Sequence, residues 1–194
     1  MDNRTLVEQA GRGDHDAFAV LATAASARMD AAARLILRDR ELARDAVQNA
    51  LVRAWRDLPG LRDPDRFDAW LHRILVHACL DEARRKRRRP IEVELDPIHE
   101  PSTGDGSRRL ADRDLVERAL AHLDPTHRAL VVMHYYLGYP VPEAAAMLGI
   151  SHPAARSRLH RAMEGLRRVM SADVAPPTSA QPVEAVGLEE GGTA

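Results

Sequence analysis

Cysteine and aromatic residues are both scarce in this sequence, and each shortage restricts the possible folds. Cys79 is the single cysteine among 194 residues, which excludes an intrachain disulfide and a zinc site built from several thiolates. Aromatic residues make up 4% of the chain, whereas hydrophobic residues make up 45%, and Ala, Leu and Arg are abundant. Because Ala, Leu and Arg favour helices and aromatic residues favour strands, we predict an all-α protein that is stabilised by packing.

Long apolar segments are also absent. The longest stretch without a charged residue, from Ala129 to Pro142, is shorter than the roughly 18 apolar residues that a membrane span needs. The start of the chain, Met-Asp-Asn-Arg-Thr, has no apolar signal core. We therefore expect a cytoplasmic protein without membrane insertion.

Common enzyme motifs are missing from the sequence. It contains no G-x-x-x-x-G-K phosphate loop, no G-x-G-x-x-G, no H-E-x-x-H and no serine nucleophile elbow. His72, His77 and Cys79 share one predicted helix, but their angular spread suits three metal ligands poorly and no carboxylate partner is evident. We expect no catalytic residue, no metal, no cofactor and no small-molecule substrate, and hence no enzyme.

The net charge of −1 hides four blocks of alternating sign. Residues 1–90 carry 18 Arg or Lys against 14 Asp or Glu, and residues 108–170 carry 10 against 6, so each block has a net charge of +4. Residues 91–107 have a net charge of −5 and residues 171–194 a net charge of −4, with no basic residue in either. Two basic modules can bind a polyanion at two places while the acidic segments stay away from it.

These charge blocks coincide with changes in hydrophobic pattern. Residues 91–107 combine Pro and Gly with five acids and lack an amphipathic period, and the last block has few large apolar residues. We predict an N-terminal domain at residues 1–90, a flexible acidic linker at 91–107, a C-terminal domain at 108–170 and a disordered acidic tail at 171–194.

The first block predicts three or four helices. Apolar residues recur every three or four positions from Leu42 to Leu58, and Pro59-Gly60 ends that helix. An earlier helix is capped by Asp14 or Asp16. A loop at residues 61–67 then leads into a helix that begins near Asp68 and runs through six consecutive basic residues.

The second block predicts a helix from about Arg109 to His122, another from Asp124-Pro125 to Leu137, and then a helix-turn-helix. The latter comprises a helix at residues 141–148, a tight turn at Gly149-Ile150, and a second helix capped by Ser151. Gly149 can take the left-handed conformation, and Ala145 lets the two helices approach closely.

The outer face of the second helix can enter a major groove. Its candidate residues are Ser151, His152, Arg156, Ser157, Arg158, His160 and Arg161. A plain helical hairpin with a solvated face is the alternative.

The order and spacing of several motifs resemble the extracytoplasmic-function class of bacterial sigma factors over about residues 5–170. Ala43-Arg-Asp-Ala-Val-Gln-Asn-Ala-Leu-Val-Arg-Ala-Trp55 is similar to the region 2.2 helix, and Phe67-Asp-Ala-Trp-Leu-His-Arg-Ile-Leu resembles the promoter-melting segment. Leu123-Asp-Pro-Thr-His-Arg-Ala-Leu, Leu148-Gly-Ile-Ser and Ser157-Arg-Leu-His-Arg-Ala are similar to region 4. The resemblance implies binding to core RNA polymerase, recognition of minus-ten and minus-thirty-five promoter elements, and DNA opening. It also implies an anti-sigma protein as a partner.

The resemblance assigns the polymerase contact to the polar side of the region 2.2 helix. That side carries Asp45, Gln48, Asn49 and Arg53, opposite the apolar residues that hold the helix in its domain. Without the resemblance, a solvated helix face is the simpler interpretation of these four residues.

Opening DNA requires a pocket for an unstacked base and cations for the phosphates of the single strand. The loop and the following helix supply the candidates Arg62, Asp63, Arg66, Trp70, Arg73, His77, Arg84, Arg85 and Arg88. Trp70 has the spacing of a core residue and is also a possible stacking platform. His77 stands where the family usually has Asn. The run of cations is expected to contact phosphate, because adjacent cations repel unless an anion neutralises them; the alternative is a solvated helix end.

Three prolines depart from the family pattern in the second domain. Pro140 replaces the usual Ser cap of the first motif helix, Pro142 follows it, and Pro153 lies in the first turn of the second helix. These changes should keep the helices while altering which bases are read. A conventional transcriptional regulator, with a ligand-sensing or dimerising first domain, is the competing functional hypothesis.

Overall fold

The structure is a computed structural model and describes residues 2–88, 116 and 118–174. Every regular element in those ranges is helical, which confirms the all-α prediction there. Four helices form an N-terminal bundle. They are α1 (Asn3–Gly11), α2 (His15–Leu37), α3 (Arg40–Asp57) and α4 (Phe67–Arg88), and two single 3-10 turns, Leu58–Gly60 and Pro64–Arg66, connect α3 to α4.

Side-chain caps define the starts of α2 and α3. The Asp14 carboxylate accepts hydrogen bonds from the amides of Asp16 and Ala17, and Asp39 accepts one from Leu42. These contacts satisfy amides that have no partner within the helix. Asp14 is therefore confirmed as the cap of α2, with Asp16 inside its first turn.

The inner face of α3 is a stripe of alanines that are fully buried: Ala43, Ala46, Ala50 and Ala54. Such small side chains let α3 pack closely against α2 and α4. Larger apolar residues of α3 lie half-buried at the edges of the stripe. Among them, the Trp55 ring lies 4.3 Å from His15 and 5.1 Å from Phe18, measured between ring centroids. The predicted apolar face is present, but its centre consists of alanine.

Three helices form a C-terminal bundle after a short helical segment at residues 118–121. They are α5 (Pro125–Val131), α6 (Val141–Met147) and α7 (His152–Val174). The predicted single helix to Leu137 is wrong in its last part, since a π-helical turn at Val132–Tyr136 replaces the α-helix. The Leu137 amide donates to the Val132 carbonyl at 2.9 Å, which widens this turn by one residue. Asp124 caps α5 as predicted.

Helix α7 continues to Val174, so residues 171–174 belong to a helix and the predicted start of the disordered tail is wrong. The linker at 91–107, the start of the helix predicted near Arg109, and the rest of the tail lie outside the described residues. The domain boundaries therefore stay predictions.

The two bundles pack against each other: α2 and α4 both contact α5, and α2 also contacts the π-helical turn. The sequence predicted two domains joined by a flexible linker and gave no sign of this contact. The buried histidine of α4, His72, lies at the contact and is 6% exposed.

Candidate functional site

The outer face of α3 is the first candidate surface. Asp45, Gln48 and Asn49 are exposed, as the sequence predicted. Val52 lies on the same helix and is 62% exposed. The sequence analysis missed this valine, although its position four residues after Gln48 places it on the same face. A single exposed valine is common on protein surfaces, so Val52 adds apolar area to this face without marking a contact surface by itself.

Two of the four predicted polymerase-contact residues also join α3 to α4. The side-chain amide of Asn49 donates to Glu82, and the Arg53 guanidinium donates to Asp81, both at 3.2 Å. Burial alone would raise the pKa of Asp81, but the hydrogen bonds from Arg84 and Arg53 outweigh it and lower that pKa. Asp45 and Gln48 are therefore the members of the set that have no such contact within the described residues.

The basic end of α4 is partly neutralised by the chain itself. Arg84 pairs with Asp81 at 2.5 Å, Arg85 with Glu82 at 2.6 Å, and Lys86 with Asp39 at 3.0 Å. These three cations therefore have acidic partners within the chain, and their contact with DNA phosphate stays a prediction. The spacing of three residues between each acid and its arginine was the signal that sequence reasoning overlooked.

Two arginines of the run remain without a partner in the described part of the chain. Arg87 and Arg88 are exposed and, with Arg84, line an open pocket of about 270 Å³. Arg88 was predicted as a phosphate contact, whereas Arg87 was not. Both lack an acid at the spacing that pairs their neighbours.

The loop before α4 presents Arg62 and Arg66 to solvent. Asp63, also exposed, accepts a hydrogen bond from the Asp65 amide at 3.1 Å and so caps the second 3-10 turn. An ion pair of 2.8 Å between Arg4 and Asp65 ties this loop to α1. The loop is thus held in place while its two arginines stay accessible.

The three candidates of α4 near the loop have different environments. Trp70 is half-buried and packs on Phe67, with ring centroids 6.0 Å apart, which favours the core interpretation. Arg73 is exposed. His77 is half-buried, and its Nε2 donates to the Met147 carbonyl in the C-terminal bundle at 2.8 Å. The structure therefore places His77 against α6 rather than in an open pocket.

The turn of the helix-turn-helix is built as predicted. Gly149 has a φ of 66°, in the left-handed region, and the Ile150 amide donates to the carbonyl of Ala145 at 3.0 Å. Ala145 is buried between the helices. Pro140 precedes α6 without a side-chain cap, and the Ser151 hydroxyl accepts a long hydrogen bond of 3.4 Å from Ala154.

The outer face of α7 matches the predicted binding surface at most positions. Ala155, Leu159 and Ala162 are buried on the inner face, and Arg158 is half-buried at its edge. The exposed members of the set are Ser151, His152, Arg156, Ser157, His160 and Arg161. Among these, His160 lies 3.3 Å from Glu164, and Arg161 donates to the Ser157 carbonyl.

Comparison with known proteins identifies both bundles. The family models that match are Sigma-70 region 2 at residues 23–89 and Sigma-70, region 4 at residues 113–166. The ECF RNA polymerase sigma factor SigM of Mycobacterium tuberculosis is 33% identical over 168 residues, which cover 87% of this chain and 84% of SigM. This chain belongs to the extracytoplasmic-function class of sigma factors. SigL of the same organism is 36% identical over 132 residues, covering 66% of this chain and 75% of SigL.

Two solved structures share the fold. CnrH, solved in complex with the cytosolic domain of CnrY, has a TM-score of 0.64 and 32% identity, covering 88% of this chain and 98% of that one. The sigma factor RpoE of Bartonella quintana, solved with the anti-sigma factor NepR, has a TM-score of 0.61 at 23% identity, covering 79% and 94%. Within the described ranges of our sigma factor, no helix is long and apolar enough to cross a membrane.

Proposed function

We propose that this sigma factor binds core RNA polymerase through α3, melts and reads the minus-ten element with the loop and α4, and reads the minus-thirty-five element with α7. Promoter recognition and transcription initiation follow from its family. The main support for this proposal is the polar, basic outer face of α7, the helix that follows the left-handed turn at Gly149.

Helix α7 is the proposed reader of the upstream element. A recognition helix contacts base edges with the residues of its first turns, and arginine can donate two hydrogen bonds to guanine. Arg156 is exposed in that part of α7 and is the proposed base contact. Exposed cations and hydroxyls farther along the face are proposed phosphate contacts, because they lie beyond the first turns. Arg158 contributes less, since it is half-buried.

The loop and the start of α4 are the proposed minus-ten surface. Arg62, Arg66 and Arg73 are exposed along it and can bind the phosphates of a separated strand. A flipped base is held by stacking and by hydrogen bonds to its edge, and the His77 ring supplies both when it is accessible. Arg87 and Arg88, which have no acidic partner among the described residues, extend the phosphate-binding surface.

The exposed face of α3 is the proposed polymerase contact. Val52 offers apolar area, and Asp45 and Gln48 beside it offer polar groups that are free of contacts within the described chain. An apolar centre with a polar rim is the usual arrangement of a protein interface. Asn49 and Arg53 stabilise the position of α3 through their hydrogen bonds to α4.

An anti-sigma protein is the proposed inhibitory partner, since the related RpoE was solved with such a protein. The cytoplasm is the proposed location, because core polymerase and promoter DNA are found there. No enzymatic activity is proposed.

The proposal is tested by retention of core polymerase on the purified protein, followed by transcription from a library of genomic fragments. We expect initiation at a common pair of elements that depends on both proteins. Asp45→Arg should abolish polymerase binding, because it reverses an exposed charge at the proposed contact. Asp2→Arg, which makes the same change at the exposed residue before α1, is the control and should bind normally.

Specific duplex binding by the protein alone, without any retention of polymerase, would contradict the proposal and favour a conventional regulator. Equal loss of binding in both variants would argue that general charge, rather than the face of α3, governs the interaction.

A further inference from the structure

One arginine of the C-terminal bundle holds its charge in a buried position. Arg128 lies in α5 and is 8% exposed. Its guanidinium makes no hydrogen bond and no ion pair within the part of the chain that the structure describes, and its Nε atom is buried without a partner there. A buried charge that has lost its hydration and gained no partner strongly destabilises a fold. Arg128 therefore has unused capacity to bind an anion.

The charges around Arg128 do not satisfy this capacity. Burial lowers the pKa of Arg128 and the charge of Arg38 lowers it further, whereas the charge of Asp124 opposes both. Asp124 is already engaged, because one of its oxygens accepts hydrogen bonds from the amides of Thr126 and His127 and the other contacts the His127 ring. The nearby acid thus serves as the cap of α5 and does not pair with Arg128.

Two further arginines lie at the end of α2, which contacts α5. Arg38 is exposed and is the one non-glycine residue of the described chain with a positive φ, 56°. Its amide donates to the carbonyl of Arg34 at 2.8 Å, which fixes this backbone turn. One Nη of Arg34 pairs with Asp30 at 2.7 Å, but its Nε is buried without a partner among the described residues. Unsatisfied donors are therefore present on both α2 and α5.

A small phosphate group suits these donors best. Arginine binds phosphate and carboxylate groups through two parallel hydrogen bonds. A phosphate monoester carries a charge of about −1.5 to −2 in neutral solution, which matches two guanidinium groups, whereas a carboxylate carries only one negative charge. The low exposure of Arg128 favours a small anion over the backbone of a DNA duplex.

We propose that Arg128 and Arg38 form a binding site for inorganic phosphate or for the phosphate group of a small monoester, with the Nε of Arg34 as a further donor. Arg38 forms the accessible side of the site, since it is exposed, and Arg128 forms the buried side. The site uses neither the outer face of α3 nor that of α7, so it does not rest on the proposed function.

NMR titration of the full chain tests the site directly, because the arginine Nε–H groups give signals of their own. The signal of Arg128 should shift and saturate when inorganic phosphate is added in neutral solution at constant ionic strength. Adenosine monophosphate and acetate are titrated in the same way. Tighter binding of adenosine monophosphate supports the site with a monoester as its ligand, and tighter binding of inorganic phosphate supports the site with the free anion.

Two variants separate this site from the other cations of the chain. Arg38→Gln, at an exposed position, should keep the fold and weaken phosphate binding about tenfold, because it removes a charged donor. Arg128→Met should remove binding, and phosphate should then no longer raise the unfolding temperature as it does in the wild type. Arg12→Met, at an exposed position on α1's end, is the control and should bind phosphate as the wild type does.

An equal shift of the Arg128 signal with sodium chloride would identify an adventitious ion only and would overturn the site. Tighter binding of acetate than of either phosphate compound would overturn the assignment to phosphate. Equal phosphate affinity in the wild type and in Arg38→Gln would overturn the role of Arg38, and this comparison remains decisive if Arg128→Met does not fold.

Discussion

At the residue scale, local pairing decides which cations of α4 are available to DNA. Arg84 and Arg85 each pair with an acid one helical turn earlier, while Arg87 and Arg88 have no such partner in the described chain. The Arg84–Asp81 pair is largely exposed and contributes about 0–1 kcal/mol, so DNA phosphates can compete with Asp81. Glu82 is buried, so Arg85 exchanges its partner less readily. Arg87 and Arg88 require no such exchange and are the first candidates for phosphate contact.

Arg156→Ala tests whether α7 reads bases. Loss of a bidentate contact to guanine should weaken binding to the upstream element by about 1–3 kcal/mol and relax the preference at one base pair. Binding of the polymerase complex to duplexes substituted at each position measures both effects. Arg167→Ala, an exposed arginine farther along the same helix, is the control.

A uniform loss of affinity on all duplexes in the Arg156→Ala variant would assign this residue to the phosphate backbone instead. Equal effects of Arg156→Ala and Arg167→Ala would contradict the assignment of the reading surface to the first turns of α7.

At the element scale, the orientation of α7 against α6 depends on the backbone of one glycine. Gly149 has a φ of 66°, and a Cβ added there would meet nothing within 4 Å. A substitution is therefore opposed by backbone conformation alone and not by crowding. Helix α3 depends instead on side-chain volume, since its four buried alanines are small enough to allow close packing.

Gly149→Ala should lower the free energy of unfolding by about 1 kcal/mol, which is the usual cost of a left-handed conformation for alanine. Chemical denaturation monitored by circular dichroism measures this difference. Gly60→Ala is the matched control, since its added Cβ also meets nothing within 4 Å and its φ is not positive. An equal effect of both substitutions would show that φ at Gly149 is not the cause.

At the scale of the whole molecule, His72 links stability to pH. Burial lowers the pKa of His72, the charge of Arg28 lowers it further, and Asp68 opposes both. The folded protein therefore takes up this proton less readily than the unfolded chain, in which the pKa of histidine is about 6.5. Stability linked to His72 is complete above a pH of about 6.5 and is lost as the pH falls towards the lowered pKa.

We expect the thermal unfolding temperature to fall between about pH 6.5 and pH 5 more steeply in the wild type than in His72→Gln. Burial raises the pKa of Asp39, Asp81 and Asp124, but hydrogen bonds outweigh it and keep each below 3.8, so these carboxylates stay ionised in that window. His122→Gln, at an exposed position, should keep the wild-type slope. A pKa of 6.5 or above for the His72 ring, measured by NMR titration, would contradict the prediction.

Patterns along the chain predicted most helices and the exposed polar face of α7, because helix periodicity and capping act over a few residues. The caps at Asp14 and Asp124 and the turn at Gly149 belong to this class. The π-helical turn and the pairing of Lys86 with Asp39 escaped prediction. The π-helical turn depends on a small difference in free energy between two patterns of backbone hydrogen bonds. The Lys86–Asp39 pair joins residues that are far apart in sequence.

The sequence by itself determined the helical class, the order of its motifs and the placement of its basic segments. The helical class follows from composition, the motifs from short spacings between residues, and the basic segments from the positions of charged residues. The tertiary structure alone decided that Asn49 and Arg53 brace α4, and that His77 contacts the backbone of α6. Periodicity states which side of a helix is polar, but not which distant group that side meets. That choice is made only when helices separated in sequence pack together.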